Sequence, residues 1–357
     1  MRKLNLFIQL RIKEGELTVK VLFTFYPLYV NYNHGIALLS ALCKKRGIQT
    51  ALYILDTPER FLDYLKQHDF DYIAFSCVTE HDYYKCLPFM IEARIISMQR
   101  LTPILLGGVY VRRGTHIIAP VDYICRGEGE TLPDFLLDGN DMLFQAKMIA
   151  HDLNALPLPD YELFKDIPFN RDIPWLKDEK ILPYYSSRGC PHKCSFCEIK
   201  GQTGLLRFRY KVKEDLTYLA EQYKPDMFFI GDELLPYYNL RWQASWGDFY
   251  HPFVAYIRAD ISTGQLMWLH EHGLVGCAFG VESGDEEYRN LVLKKRLHDK
   301  DIYRTVELLS KLGIKYAPYF MTGMPGETFE LTAKTYKMKE KIGGYPYIFN
   351  YEPITVR

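Results

Sequence analysis

At 357 residues the chain is long enough for two ordinary domains and too long for one comfortable core. Its 44 basic side chains are matched by 44 acidic ones, which argues against a surface built for a phosphate backbone, so no nucleic-acid partner is expected. No run of about 18 apolar residues occurs, so no membrane span is expected, and polar residues interrupt every apolar stretch before Thr18, unlike a signal peptide.

Eight cysteines without a secretory signal point to reduced thiols in the cytoplasm. Aromatic residues reach 15%, with 28 Tyr. Such rings commonly pack while their hydroxyls stay wet; a pocket for a large flat ligand is the sharper alternative.

In chain order, Leu4, Leu6, Ile8, Leu10 and Ile12 alternate with mostly polar neighbours, and Glu14-Gly15 suits a turn. A strand or hairpin is expected there, leading into residues 19–26. Further strands are expected over 49–55, 72–77, 103–106 and 123–125, with helices over 36–45, 58–67 and 83–98. Repeated β-α alternation over roughly 120 residues predicts an open parallel sheet wrapped by helices, of a size that suits the flavodoxin-like doubly wound arrangement. Ligands on such sheets sit beyond the carboxyl ends of the strands. Here those ends carry Tyr26-Pro27, Ser76-Cys77, Gly107-Gly108 and Gly127-Glu128-Gly129-Glu130.

Ala155-Leu-Pro-Leu-Pro-Asp160 holds two prolines in three residues and reads as a stiff connector. The expected division is a first domain over 1–150, a linker over 151–180 and a second domain over 181–357. The alternation then repeats. Strands are expected over 182–187, 227–231, 253–258, 276–281, 316–323 and 347–351, and helices over 212–223, 263–272, 286–293, 300–312 and 328–342. Six strands with five helices predict a partial (β/α)6 barrel with function at the strand C-termini. The chain stops soon after the sixth strand, so the C-terminal end is expected to be incomplete.

Arg188-Gly-Cys-Pro-His-Lys-Cys-Ser-Phe-Cys197 sets Cys190, Cys194 and Cys197 at C-x3-C-x2-C directly after an expected strand. Thiolates suit zinc or iron–sulfur clusters. A structural zinc needs four ligands in closed tetrahedral geometry, usually paired C-x2-C units. Only three thiolates are offered, and His192 sits inside a short loop where a closed site is hard to form. Three ligands on a four-iron cluster leave one iron open, which is a working arrangement.

This spacing, with an aromatic before the last cysteine, resembles the radical SAM superfamily, and the resemblance covers essentially the whole second half. It implies a [4Fe–4S] cluster on Cys190, Cys194 and Cys197 whose open iron chelates S-adenosylmethionine (SAM) and cleaves it to a 5′-deoxyadenosyl radical. Phe196 would then pack near the adenine, or simply anchor the loop. Gly231-Asp232-Glu233 falls where the family carries an acidic motif for the methionine amino group, so Asp232 or Glu233 is the candidate. Arg258 is a candidate for the SAM carboxylate, for which a guanidinium fork is well shaped. Glu282, in Gly-Val-Glu-Ser-Gly284, falls where the family meets the ribose hydroxyls. Surface salt bridges or caps are the plain alternatives for these side chains. Gly323-Met-Pro-Gly-Glu-Thr328 resembles the family's turn beside the adenine, although alone it is only a turn signal.

A doubly wound domain ahead of such a barrel resembles the cobalamin-binding subfamily, which implies a corrin near Gly107, Gly108, Gly127 and Glu128, where absent side chains allow close approach. The Asp-x-His-x-x-Gly motif that supplies a cobalt-ligating histidine elsewhere is missing. Tyr32-Asn-His-Gly-Ile-Ala37 stands in its place, and His34 is expected to cap or pack. Cys77 and Cys125 are expected to be buried structural thiols. The resemblance implies methyl transfer to an unactivated carbon of a small molecule, with an electron donor such as flavodoxin or ferredoxin as partner. A radical cyclase or rearrangement enzyme is the nearest alternative. From another class, the first domain would be a cofactor-free sensor or interaction module.

Overall fold

Val21–Phe25 is buried at every residue, the signature of a strand covered on both faces. In the computed structural model it forms most of β1 (Lys20–Phe25). The structure describes residues 18–27, 32–112, 117–139, 152–167, 169, 175–176, 179–197 and 207–351. The alternation expected before Thr18 lies outside the described residues. The chain divides into two compact units, one drawing on 1–151 and 155–171, the other on 152–154 and 172–355.

In the first unit β1 is followed by α1 (His34–Lys45), β2 (Gln49–Ile54), α2 (Pro58–Gln67), β3 (Tyr72–Ser76), α3 (Glu80–Arg100), β4 (Ile104–Gly107), α4 (Val109–Arg112), β5 (Tyr123–Ile124) and α5 (Leu132–Asp138). The strands are parallel in the order β2-β1-β3-β4-β5. This is the flavodoxin-like doubly wound order, in which the chain reverses direction beside β1 and leaves a crevice at the strand ends. The helices start where the local chemistry dictates. Thr57 caps α2 ahead of Pro58, whose fixed φ suits a first helical position. Thr79 and Asp82 form a reciprocal capping box on α3. The connector is fastened to α1: Asp160 Oδ2 accepts Ser40 Oγ at 2.5 Å and Lys44 Nζ at 2.7 Å.

The second unit contains β6 (Ile181–Tyr184), β7 (Ser187–Arg188), β8 (Arg207–Phe208), α6 (Val212–Tyr223), β9 (Met227–Ile230), α7 (Leu240–Ala244) and β10 (Phe253–Tyr256). It continues with α8 (Thr263–Glu271), β11 (Leu274–Glu282), α9 (Glu286–Leu291), α10 (Asp299–Lys311), β12 (Lys315–Thr322), α11 (Phe329–Ile342) and β13 (Tyr347–Asn350). Its six-stranded parallel sheet runs in chain order, β6-β9-β10-β11-β12-β13. Each strand therefore sits beside its predecessor, as in an open barrel, and all carboxyl ends share one edge. Trp242 and Trp246 are fully buried. No described helix is long and apolar enough to cross a membrane.

The largest departure from the expected elements is at 182–187. The strand stops at Tyr184, and Ser187–Arg188 pairs antiparallel with Arg207–Phe208 instead. The cause is a single carboxylate, described next.

Candidate active site

Asp232, just beyond β9, draws the chain away from β6. Its Oδ1 accepts the Ser186 and Ser187 N–H groups at 2.7 and 3.1 Å, and Oδ2 accepts their hydroxyls at 2.6 and 2.8 Å. Trp242 Nε1 donates to Ser186 Oγ at 2.9 Å. Burial pushes the Asp232 carboxyl up to about 7, against the downward pull of the serine donors. With four donors already on it and no exposure, Asp232 shapes the turn into the cysteine loop. Glu233 beside it keeps an exposed side chain. Its Oε2 accepts the Gly189 N–H at 3.2 Å, and the charges of Arg188 and Arg207 lie within electrostatic reach.

Gly189 enters the loop at φ 95°, a conformation that favours glycine. Cys194 is buried, and Cys190 and Cys197 are half-buried. The His192 backbone N–H donates to the Cys190 thiol, and the Cys197 N–H donates to the Cys194 carbonyl at 3.2 Å. Ser195 pins the loop to the segment after α9, its N–H and Oγ donating to Leu293 O and Val292 O, both at 2.9 Å. Burial raises the Cys194 thiol above its ordinary value, while the Lys295 and Arg258 cations pull it back. Burial also raises Cys190, which senses both other thiols. Burial and the nearby Arg258 charge lower His192 to about 4, so its ring is neutral.

Among the described residues no three His, Cys, Asp or Glu side chains converge tightly enough for one metal ion. Three thiols gathered in one loop suit a polynuclear iron–sulfur centre whose thiolates each hold a different iron. The donor set therefore fits a [4Fe–4S] cluster with one iron left without a protein ligand.

Arg258, two residues beyond β10, is buried. Its Nε reaches Asp260 Oδ1 at 3.1 Å, and Nη2 donates to Asp260 Oδ2, Lys295 O and Arg296 O at 2.9, 3.0 and 3.2 Å. The guanidinium thus clamps a tight turn after α9. Within that turn Lys294 and Arg296 both have φ 53°, and Glu282 at the end of β11 has φ 72°. Non-glycine residues in this region cost on the order of 1–3 kcal/mol each and persist where surrounding contacts over-determine them. Lys295, between the two positive-φ residues of the turn, forms an ion pair with Glu282, Nζ to Oε1 at 2.5 Å, with both side chains buried. Gly280 makes it possible, because a Cβ there would run into Glu282 Oε1 and would lie 2.6 Å from Lys295 Nζ.

Phe196 packs against Tyr288, Leu293 and Met324, with Lys295 Nζ 5.7 Å from its ring centroid. Tyr288 OH donates to Pro325 O at 2.9 Å, and Glu327 Oε2 accepts the Met324 N–H at 3.1 Å. The cysteine loop and the Gly-Met-Pro-Gly-Glu turn after β12 are thereby joined through Phe196 and Tyr288.

The first unit places its candidates at the ends of β3, β4 and β5. Gly108 has φ 104°, and a Cβ there would strike the Cys77 carbonyl oxygen and lie 2.8 Å from the Cys77 carbonyl carbon. The fold itself demands this glycine. At Gly107 a Cβ would meet only Cys125 Cβ, at an ordinary 3.5 Å. The fold places no such demand there. Gly127 and Glu128 lie in the turn after β5. The cap on α1 is Asn33, not His34: Asn33 Oδ1 accepts the Ile36 N–H at 3.1 Å, and Nδ2 donates to Ser76 Oγ at 3.2 Å. His34 packs toward Tyr32, ring centroids 6.4 Å apart. Cys77 and Cys125 are buried.

Sequence reasoning missed Lys295 and Arg289. Arg289 is fully buried and donates to Ser283 O at 2.7 Å, Leu297 O at 2.9 Å and the Asp299 carboxylate. Lys294-Lys295-Arg296 reads as a solvated charge run. The usable signal is period-two alternation, since Leu293, Lys295 and Leu297 are buried while Lys294 and Arg296 are exposed.

Two curated proteins resemble the chain. It is 25% identical to cytidylyl-2-hydroxyethylphosphonate methyltransferase of Streptomyces wedmorensis, over 55% of this chain and 40% of that protein. It is 27% identical to anaerobic magnesium-protoporphyrin IX monomethyl ester cyclase of Synechocystis sp., over 47% of this chain and 37% of that protein. The chain thus spans about two fifths of the length of these relatives. Among solved structures, the radical S-adenosylmethionine methyltransferase TsrM of Kitasatospora setae, with tryptophan and a SAM analogue bound, superposes with TM-score 0.69. The match covers 93% of this chain and 73% of that one at 15% identity. A second TsrM structure, with cobalamin and a [4Fe-4S] cluster bound, also has TM-score 0.69, covering 94% of this chain and 75% of that one at 14% identity. Residues 184–338 match the Radical SAM superfamily. That match takes in the cysteine loop and the ends of β9 to β12, and it identifies this stretch as a radical SAM domain.

Proposed function

We propose that the chain is a cobalamin-dependent radical SAM methyltransferase acting on an unactivated carbon of a small molecule. The observation that carries this reading is the pairing, in one chain, of a 2-1-3-4-5 parallel sheet with a radical SAM domain. The TsrM structure with cobalamin and a [4Fe-4S] cluster bound matches 94% of this chain.

When bound, the cluster and SAM supply a 5′-deoxyadenosyl radical and cobalamin carries the methyl group. The chain's own side chains do the rest. Cys190, Cys194 and Cys197 hold three irons and leave the fourth to SAM. Glu233, whose carboxylate accepts the Gly189 N–H beside the cysteine loop, receives the methionine ammonium. Arg258 fixes the turn that carries Lys295, and both cations favour thiolate at Cys194. Lys295 holds Glu282 in place for the ribose hydroxyls, and Phe196 flanks the adenine. In the first unit, Gly107 and the Gly127-Glu128 turn accept the corrin without a histidine ligand. We assign residues 1–150 to the corrin domain and 181–357 to the radical domain, with a cytoplasmic flavodoxin or ferredoxin as electron source. All eight cysteines are free thiols, in keeping with a reducing compartment.

A cyclase or rearrangement enzyme is the second reading, favoured by the Synechocystis relative. The test is anaerobic reconstitution with iron, sulfide and hydroxocobalamin, followed by turnover with SAM labelled in its methyl group by deuterium. A methyltransferase places the label in product and forms both S-adenosylhomocysteine and 5′-deoxyadenosine. Deoxyadenosine without S-adenosylhomocysteine in the presence of product supports the second reading. Failure to retain corrin overturns cobalamin dependence and leaves the first unit a cofactor-free module.

A further inference from the structure

The 21-residue helix α3 is apolar on two faces. One face, with Tyr83, Cys86, Phe89, Met90, Ala93 and Ile96, packs into the first unit's core. The other presents Tyr84, Ile91, Ile95 and Met98 to solvent, exposed by 59, 55, 45 and 74%, and Pro88 is exposed on the same side. The spacing 84, 88, 91, 95, 98 alternates steps of four and three, which keeps these residues in one stripe along the helix. A helix of a soluble protein normally turns one apolar stripe inward and a polar face outward. A second continuous stripe marks a surface that is covered by something else.

The charges beside the stripe say what covers it. Lys85 and Glu92 lie two helical turns apart on the same flank. Among the described residues neither has an ion-pair partner, whereas Arg94 on the same helix pairs with Asp122 at 3.0 Å; Lys85 Nζ lies 6.0 Å from the centroid of the Tyr26 ring. Two copies of α3 packed antiparallel about a two-fold axis near residues 88 and 89 bring the same flank of each helix together. Lys85 of each copy then faces Glu92 of the other, giving two ion pairs from two residues. An isologous contact requires such self-complementarity. Pro88 lies at the axis, where a compact side chain lets two helices approach closely.

We propose that the exposed stripe of α3 is a homodimer interface, in which Ile91 and neighbouring apolar side chains form the dry centre and reciprocal Lys85–Glu92 pairs set the antiparallel register. This surface is independent of the cofactor sites and of the reaction proposed above.

Sedimentation equilibrium of the full chain, prepared anaerobically with its cluster, tests it across micromolar concentrations. The expected result is a reversible dimer. Ile91→Glu should raise the dimer dissociation constant by about tenfold or more, because it places carboxylates in the dry centre. Lys85→Glu should weaken the dimer, and Lys85→Glu combined with Glu92→Lys should restore it; circular dichroism matching the parent chain controls for folding. A monomer at every concentration overturns the proposal, as does a dimer indifferent to Ile91→Glu. If the charge reversal weakens the dimer and the double reversal does not restore it, the antiparallel register is overturned.

Discussion

Lys295 Nζ lies 2.5 Å from Glu282 Oε1, and this buried pair bridges the end of β11 to the turn that holds the cysteine loop. Leu293, two residues before Lys295, accepts the Ser195 N–H at 2.9 Å. The pair therefore couples the strand end to the loop carrying Cys194 and Cys197.

Removing one partner leaves the other charge buried. Lys295→Ala should destabilise the apo chain by about 3–5 kcal/mol, and the double variant Lys295→Met with Glu282→Gln should recover much of that loss. Urea unfolding under reducing conditions measures both. Equal losses in the single and double variants would mean that packing, not charge, holds the turn.

Two nearby glycines should respond differently to a methyl group. At Gly280 the new Cβ meets the ends of Glu282 and Lys295, which can swing away, so Gly280→Ala should fold with the ion pair displaced. SAM affinity should then fall by about tenfold, equivalent to ~1.4 kcal/mol, measured by equilibrium binding to the reconstituted chain. At Gly284 the new Cβ meets backbone of α11, lying 2.5 Å from the Lys334 carbonyl carbon and 2.7 Å from Thr335 Cα. That backbone cannot yield cheaply, so Gly284→Ala should cost about 1–3 kcal/mol of stability or more. A stable Gly284→Ala chain alongside an unfolded Gly280→Ala chain would reverse this assignment.

The cluster assignment makes a sharper distinction among cysteines. Cys194→Ala should lose most of its iron and its SAM cleavage, while Cys77→Ser and Cys125→Ser should keep iron at the parent level. Iron and sulfide analysis with electron paramagnetic resonance of the reduced protein reads both outcomes. Full iron loading in Cys194→Ala would sink the cluster assignment.

Much of this architecture was legible because hydrophobic periodicity reports strands and helices directly. Residues 58–67 and 212–223 are helical as expected, and every strand expected from residue 19 onward appears within a few residues of its place. The cysteine spacing was equally open, since three thiols in eight residues carry chemistry in their sequence alone. Strand order in the first unit was not legible, because it depends on which crossover passes which face. The end of β6 was hidden for a related reason. Ser187 reads as strand, but the carboxylate that turns it out lies 45 residues further on. Gly108 was legible as a glycine in need of space, and the wrong neighbour was credited, since the close contact is Cys77 backbone. Lys295 was lost because a basic run looks solvated until alternation with Leu293 and Leu297 is noticed.

Asp232 offers a test of electrostatics through pH. Its carboxyl sits at about 7 in the folded chain against an ordinary 3.8, raised by burial despite the donors of Ser186 and Ser187. At about pH 4 and below, folded and unfolded chains both hold the proton, and this residue gives no pH dependence. Between there and about 7 the folded chain keeps the proton that the unfolded chain gives up. Unfolding then releases a proton, and stability falls as pH rises through that window. Above it both states are ionised and the penalty is constant. A shift of about 3 units sets an upper bound of ~4 kcal/mol. Asn at this position keeps an oxygen for the two backbone N–H groups and presents an NH₂ to the two hydroxyls, which can rotate to accept. Asp232→Asn should therefore match the parent chain near the acid end of the window and exceed it in stability at about pH 8, by up to that bound. Urea unfolding of the apo chain at the two pH values gives the comparison. A difference between parent and variant that stays the same at both would show that the four donors hold the carboxylate ionised throughout, with burial overcome.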